Sequence, residues 1–595
     1  MFSIIMPVWN RGAVVAEAIK SVLAQTRDDY ELIIVDDGSE DNTGEVLQPY
    51  CSDKVRYFRI PHGGVSKARN FGLRQATHPY VAYLDSDNAW HPQFLQEMQT
   101  AMVAASASVA YCQLRILRWL DGAAAPVADG IHGRPFCFDD LCRANYIDQN
   151  SLVHRRDLLE QTGAFDETLT RLVDWDLVLR LALVAPPLHV PKILGDYHFG
   201  RTANAITARE PLEPNVARIR QKLQPYLDPT LVHDGVPYVY ADLSPAKRYN
   251  LARWRSGFQD RQDFQALALP SIIQIEPSSR CTLKCPKCPA GTQRLNRHRD
   301  MTLQEFTAII DELQDSLMFI VLWDWGEPFM NPELPAMIRQ AADRGIKTVT
   351  STNAHFLEDP AYLQAVLQSG LDSLIVAIDS ADAGRYADYR RNGSLRKACD
   401  GVRRLVSLKK QLHSPTQINL RMVLMKSNED EIDAMQRLAR QLDVDLLTAK
   451  SVNPLFCGEV NHDMIPTAPA WRRLQYRDGQ PVRREHPTCD YIWTIANIHS
   501  DGEVASCCED FNGQFALGNV FTSGFKHIWN NEAYRQRRRA ITADLASQPI
   551  CSGCWRNYQV GGFGFAKILY DRHAAVPAWR HCLRRIKTVV RALVD

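Results

Sequence analysis

Ser271-Ile-Ile-Gln-Ile-Glu276 followed by Cys281-Thr-Leu-Lys-Cys285-Pro-Lys-Cys288 decides how the middle of this chain folds. The apolar run reads as a buried strand, and the three thiols sit on the loop that leaves it. A short loop at a strand end brings three sulfurs round one face of a cubane. Four-iron clusters are held by Cys thiolates, and three ligands leave one iron open. Zinc is the alternative, but it wants a fourth ligand close by, and His298 lies ten residues past Cys288.

Working outward, strand and helix patterns alternate over residues 269–480. Helical stripes over Thr302–Leu317, Leu334–Arg344, Ala361–Ser369, Val402–Gln411 and Glu431–Leu442 separate strand-like runs at Phe319–Trp323, Lys347–Ser351, Ser373–Ile378, Ile418–Met425 and Asp445–Ser451. Repeated βα units predict a partial (β/α)6 barrel, with active residues at the carboxyl ends of its strands.

Upstream, Phe2–Val8, Tyr30–Val35, Val55–Ile60 and Tyr80–Leu84 read as strands alternating with helices, a mostly parallel α/β sheet. Two of these strands run into Asp36-Asp37 and Asp85-Ser86-Asp87. Ligands in such sheets bind beyond the carboxyl ends of the strands. An Asp-x-Asp there suits magnesium or manganese, whose hard oxygen ligands include a diphosphate. From about residue 206 motifs stop, with helical pieces at 215–223, 246–258 and 259–267, and residues 236–268 read as a helical linker.

Downstream, Cys489 and Cys507 flank a hairpin pattern with its turn at Asp501-Gly502, and Cys551-x2-Cys554 follows. Four thiols suffice for a second cluster or for a structural zinc. Cys508 adjoins Cys507 and competes with it as ligand. Residues 576–595 carry Arg580, Arg584, Arg585, Lys587 and Arg591 among apolar residues, a basic amphipathic helix. Peripheral membrane contact through it is open, and packing on the protein is favoured.

The whole chain bounds these readings. Its 595 residues exceed one ordinary core. A net charge of +1 offers no bulk electrostatic case for nucleic acid. No signal peptide or membrane-spanning run is read, and the 15 cysteines fit a reducing cytoplasm.

The ordered series Pro7-Val-Trp-Asn10, Val35-Asp-Asp-Gly-Ser39, Lys67-Ala-Arg-Asn70, Leu84-Asp-Ser-Asp87, Gly163-Ala-Phe-Asp-Glu167 and Asp174-Trp-Asp176 resembles a family 2 glycosyltransferase with the GT-A fold. That resemblance implies a doubly wound α/β domain over 1–235. It assigns Asp37 and Arg69 to the nucleotide, Asp85 and Asp87 to the sugar nucleotide, and Asp87 to a divalent cation. Asp174 falls at the catalytic base, with Asp176 as competitor, and Val173 replaces the family's usual Glu. His198 is a further candidate ligand.

The three-Cys loop and Trp325-Gly-Glu-Pro328 resemble the radical S-adenosylmethionine (SAM) enzymes, with Lys287 and Trp325 as departures. The resemblance spans 269–480 and implies SAM binding by Glu327, Asn353, Arg421 and Asn428. It also implies a 5′-deoxyadenosyl radical that abstracts a substrate hydrogen. Residues 481–575 resemble the SPASM/Twitch auxiliary-cluster region, in the one-cluster Twitch form, with Cys489, Cys507, Cys551 and Cys554 as ligands. Two 4Fe-4S clusters are thus expected, and a flavodoxin- or ferredoxin-type electron donor. The combined expectation is a bifunctional enzyme using a nucleotide-sugar donor on a saccharide, lipid-linked glycan or peptide acceptor. Oxidation of a sugar or glycoconjugate, radical modification of a glycosylated peptide, and one degenerate binding domain are the readings held open.

Overall fold

The computed structural model describes residues 1–120, 125–201, 210–225, 243–257, 263–455, 462–563 and 566–572, with backbone alone for residue 226 and the short strands at 230–233, 236–239 and 259–260. The basic helix expected at 576–595 lies outside the described residues. The chain forms two compact units: Met1–Asp228 with Arg255–Phe258, and Pro229–Trp254 with Gln259–Asp595.

The first unit is built on a nine-stranded sheet. Its strands are β1 (Phe2–Val8), β2 (Tyr30–Asp36), β3 (Val55–Arg59), β4 (Tyr80–Tyr83), β5 (Ala89–Trp90), β6 (Val109–Arg118), β7 (Val127–His132), β8 (Leu152–Arg155) and β9 (Leu188–Phe199). They run in the order β3-β2-β1-β4-β8-β6-β9-β5, with β7 beside β6. The first four are parallel, with Phe2 opposite both Tyr30 and Tyr80. β8 then joins β4 antiparallel, with Ala82 opposite Val153. All seven residues of β1 are buried, as expected of a strand covered on both faces. The helix Val15–Leu23 buries Val15, Ala18, Ile19 and Val22 against this sheet, at i, i+3, i+4 spacing. β2 and β4 flank β1, so Asp37 and Asp85 leave the sheet on either side of one strand end. This is the crevice where strand order reverses.

In the second unit six parallel strands follow one another as neighbours: β10 (Ile272–Ile275), β11 (Phe319–Leu322), β12 (Lys347–Thr352), β13 (Ser373–Ala377), β14 (Gln417–Leu424) and β15 (Leu446–Ser451). Helices Leu303–Leu313, Pro360–Gln368 and Leu395–Gln411 lie among the connections. This is the partial (β/α)6 barrel that the alternating pattern predicts. The first helix shows why the local sequence suffices. Thr302 and Glu305 form a reciprocal capping box, and Phe306, Ile309, Ile310 and Leu313 form its buried stripe. Each such side chain contributes about 1.5–3 kcal/mol on burial.

Three further strands extend this sheet at both edges. β16 (Ile495–Ile498) adds parallel to β10, with Ile272 opposite Ile495, and β17 (Val504–Ala505) folds back on β16. β18 (Ala566–Asp571) pairs antiparallel with β15. The expected hairpin between Cys489 and Cys507 is therefore present, and it is part of the barrel sheet.

Two expectations are corrected. Gln259–Asp260 pairs antiparallel with Gln265–Ala266 instead of forming a helix. That stretch has no apolar stripe to hold a helix against a core. The helix expected from Val402 begins at Leu395, where the Ser394 side chain accepts from the Lys397 N–H. Its polar first turns hide it from a periodicity reading.

Candidate functional site

In the first unit the loop after β2 is fixed by its own acids. Asp36 accepts from the Ser39 N–H and the Tyr57 hydroxyl, both at 2.8 Å. Asp37 accepts from the N–H groups of Gly63 and Gly64 at 2.8 Å each. Gly64 has φ 93°, a conformation that favours glycine. The Trp9 and His62 rings stack beside this loop at 4.8 Å.

Beyond β4, Arg69 and Asp85 meet at 2.7 Å, and Arg69 lies over the Phe165 ring. Asn150 ties two acids together: its Oδ1 accepts from the Asp85 N–H, and its Nδ2 donates to Asp85 Oδ2 and Asp148 Oδ1. Asp87 lies 3.6 Å from Arg11. Burial, then the neighbouring Asp85, raises the Asp87 carboxyl above its ordinary value. Asp148 is pushed up to about 7 by burial and by the charges of Asp174 and Asp85. Asp174 is raised by burial against the opposing pull of Arg69, and Asn145 donates to it at 2.8 Å. The Tyr197 hydroxyl is raised by burial and by the charges of Asp148, Asp85, Asp87 and Asp174.

Asp174 and Asp176 share the helix Val173–Val184 but not an environment. Asp176 is buried and bound by Arg180 at 2.6 Å and by Lys222 at 2.8 Å. Asp174 joins the acid group instead. His198 accepts from the Trp119 indole at 3.0 Å through Nδ1.

In the second unit the cluster loop is reached by three different βα loops. Cys288 Sγ lies 3.7 Å from the Trp325 carbonyl after β11. Cys281 Sγ lies 3.8 Å from Asn353 Nδ2 after β12, and Cys285 Sγ lies 3.9 Å from Arg390 Nη1 beyond β13. Burial, then Glu327, pushes the Cys281 thiol up to about 12. Two glycines allow this wrapping. A Cβ on Gly291 would stand 2.6 Å from the Cys285 carbonyl, and one on Gly326 would stand 1.8 Å from the Ser278 carbonyl.

Glu327 is 3% exposed, and it accepts from the N–H groups of Phe329 and Asn353. Burial pushes its carboxyl up to about 7. A buried carboxylate held by neutral donors keeps acceptor capacity for a cation such as an ammonium group. Asn428 spends its amide on the ends of β13 and β14: it donates to the Asp379 and Val423 carbonyls and accepts from the Met425 N–H. Arg421 donates to Thr448 on the neighbouring strand at 3.1 Å. Arg390 is paired with Asp379 at 2.6 Å.

A cavity of about 530 Å³ opens beside this loop. Cys288 and Trp325 line it together with Cys489, Cys507, Cys508, Cys551 and Cys554. Both thiol sets thus border one space. Asp324, Lys450 and Glu509 supply charge to its wall. Asp324 Oδ1 accepts from Gln274, and its Oδ2 lies 3.6 Å from His499. Beneath it, Glu276 and Arg297 form a fully buried ion pair at 2.6 Å, and Ser500 of the hairpin turn donates to Glu276. Cys507 is raised by burial and by Cys508, Cys554 and Cys489; Cys508 is raised by burial, Glu509 and Asp324. Among the described residues no three His, Cys, Asp or Glu side chains converge on the position of a single ion.

Sequence reasoning missed Asp148, Asn145 and Asn150 in the first unit, and Asp324, Arg390 and Lys450 in the second. Asp148-Gln-Asn150 carries no motif, and Arg390 follows the short helix Ala383–Tyr389. Only tertiary contacts bring them to the sites.

Three family profiles match the chain: glycosyl transferase family 2 over residues 3–126, the radical SAM superfamily over 275–439, and the SPASM iron-sulfur cluster-binding domain over 489–555. An uncharacterized glycosyltransferase of Rickettsia typhi is 30% identical over 235 residues, covering 36% of this chain and 68% of that protein. The chain is a family 2 glycosyltransferase fused to a radical SAM enzyme with an auxiliary iron–sulfur domain. It spans about 15% of the length of two other Rickettsia glycosyltransferases that it matches at 43% identity. Among solved structures, S. aureus TarS with UDP-GlcNAc aligns at 17% identity and TM-score 0.34, covering 58% of this chain and 89% of that one. Streptococcus suis SuiB bound to its precursor peptide SuiA aligns at 13% identity and TM-score 0.39, covering 58% and 83%. These families imply a nucleotide-sugar donor and an acceptor, SAM, iron–sulfur clusters and an electron donor. Among the described residues no helix is long and apolar enough to cross a membrane.

Proposed function

We propose that the first unit transfers a glycosyl group with inversion, with Asp174 as general base. The supporting observation is the contrast between Asp174, which interacts with Asp85 and Asp148, and Asp176, paired with Arg180 and Lys222. Burial and neighbouring acids raise the carboxyls of Asp87, Asp148 and Asp174, and a divalent cation would offset that repulsion. Asp85 and Asp87 would hold magnesium or manganese, and the ion would neutralise the departing diphosphate. Arg69 holds Asp85 in place, and Asp37 sets the loop beside the nucleotide. Asp174 takes the proton from the acceptor hydroxyl.

In the second unit we read Cys281, Cys285 and Cys288 as ligands of a 4Fe-4S cluster with one open iron, and Cys489, Cys507, Cys551 and Cys554 as ligands of a second. The donor set fits: buried and half-buried thiols, with Arg390 and Arg537 each donating to one sulfur. When bound, the first cluster supplies the electron that cleaves SAM to the 5′-deoxyadenosyl radical. Glu327 receives the SAM amino group, Asn353 closes the same loop, and Arg421 and Asn428 fix the strand ends beside it. We take Cys507 in preference to Cys508 on the Gly502-x4-Cys507 spacing.

The substrate we favour is a sugar or glycoconjugate that is oxidised at a secondary alcohol. The observation carrying this reading is the cavity of about 530 Å³ bordered by both thiol sets, with Asp324 and Lys450 in its wall. Asp324 and Lys450 offer that wall polar groups for a substrate hydroxyl. The described cysteines are free thiols, in keeping with a reducing cytoplasm. Deuterium transfer from a C–H-labelled sugar into 5′-deoxyadenosine supports this substrate class. Transfer from a labelled peptide, with none from the sugar, contradicts it.

A further inference from the structure

Arg537 and Arg538 are adjacent on the helix Glu532–Ala543, both are buried, and they meet different surroundings. Arg538 is enclosed by the rings of Trp493, Trp529 and Tyr534, and it donates to the Ile492 and Phe264 carbonyls and to Asn530. Those contacts are all to neutral groups and aromatic rings. Arg537 turns toward a sulfur instead. Its Nη2 lies 3.2 Å from Cys551 Sγ, and the guanidinium rests 3.4 Å from the centre of the Phe515 ring.

The other acceptors of Arg537 are neutral and long: Gln548 Oε1 at 3.4 Å and the Pro549 carbonyl at 3.5 Å. Its Nε has no partner. Asp510 feels the charge, but its own oxygens serve the N–H groups of Gln514 and Ser506. A guanidinium does not lose its proton, so burial does not neutralise it. A buried cation without a paired anion is costly. Thiolates at Cys551 and its three partners would supply the missing negative charge.

We infer that Arg537 is a potential-setting residue of the second cluster, acting through a charge-assisted hydrogen bond to Cys551 Sγ. This rests on the reading that Cys489, Cys507, Cys551 and Cys554 hold an iron–sulfur cluster. Hydrogen bonds to the sulfurs and local charge set the reduction potential of such clusters. Reduction adds one electron to an already anionic group, and a fixed cation beside a ligand sulfur favours that state. Arg537 therefore raises the potential and helps the cluster accept an electron from the cavity side. Cys551 lines that cavity, and Arg537 holds its sulfur.

The test is redox titration of the anaerobic full chain, followed by electron paramagnetic resonance, on wild type, Arg537→Gln and Arg537→Lys. Arg537→Gln should keep its iron and move the second cluster to a more negative midpoint. Arg537→Lys, which keeps the charge but not the planar fork, should shift it in the same direction by less. An unchanged midpoint at full iron content overturns the inference. Should Arg537→Gln lose iron, Arg537→Lys decides by the same criterion. Wild-type protein with about four irons instead of about eight has no second cluster, and overturns the parent reading as well.

Discussion

Glu327 Oε2 accepts the backbone N–H of Asn353 at 2.8 Å, which ties the loop after β11 to the loop after β12 across the three-Cys loop. The same carboxylate caps the turn Pro328–Met330 through the Phe329 N–H. One side chain thus fixes the loop geometry and offers a buried negative charge to an incoming cation. Glu327→Gln keeps the shape and removes the charge. SAM affinity should fall roughly 10- to 100-fold, as for loss of a hydrogen bond to a charged group worth about 1.5–3 kcal/mol. Calorimetric titration with SAM checks this, and unchanged affinity contradicts it.

Gly326 leaves no room for a side chain, since a Cβ there meets the Ser278 carbonyl at 1.8 Å. Backbone cannot give way as a flexible side chain can. Gly326→Ala should cost about 1–3 kcal/mol of stability and displace the loop holding Glu327. Thermal unfolding of the apoprotein and SAM binding should both register the change.

Asp174→Asn and Asp176→Asn should separate catalysis from stability. Loss of a general base costs about 10²- to 10⁴-fold in rate. Asp174→Asn should show that loss with an unshifted melting temperature. Asp176→Asn leaves Arg180 and Lys222 without their shared acid and should cost about 1.5–3 kcal/mol of stability. Sugar-nucleotide turnover and denaturant unfolding of both variants provide the comparison.

Asp148 carries a pH dependence with a definite sign. Its folded-state carboxyl is raised from 3.8 to about 7, so the folded protein holds this proton more tightly than the unfolded chain. The stability it contributes is fully present below about 4 and is lost as pH rises through about 7. Each tenfold difference in proton affinity between the two states is worth about 1.4 kcal/mol. In a chelator, wild type should therefore lose stability between pH 5 and pH 8, and Asp148→Asn should lose less. Urea unfolding at both pH values checks the difference.

Much of this architecture is legible in the sequence because periodicity and thiol spacing are local. β1 is an unbroken apolar run, and the stripe Phe306, Ile309, Ile310, Leu313 announces its helix. Cys281, Cys285 and Cys288 are one loop, so their spacing alone points to shared chemistry. Asp148, Asn150, Arg390 and Arg537 are not legible in this way. Asn150 acquires its place through Asp85 and Arg390 through Cys285, partners distant in sequence, while Asp148 joins the site through Asn150 and Arg537 through a cavity-lining thiol. The choice between Asp174 and Asp176 is of the same kind, because Lys222 reaches Asp176 from a helix far along the chain.

The central claim is that two separate thiol sets hold two clusters around one cavity. Iron and sulfide content with Mössbauer spectra, on anaerobic wild type and on the Cys281→Ala, Cys285→Ala, Cys288→Ala triple variant, tests it most directly. About eight irons falling to about four is the predicted result. About four irons falling to none, with zinc retained in the variant, would contradict it.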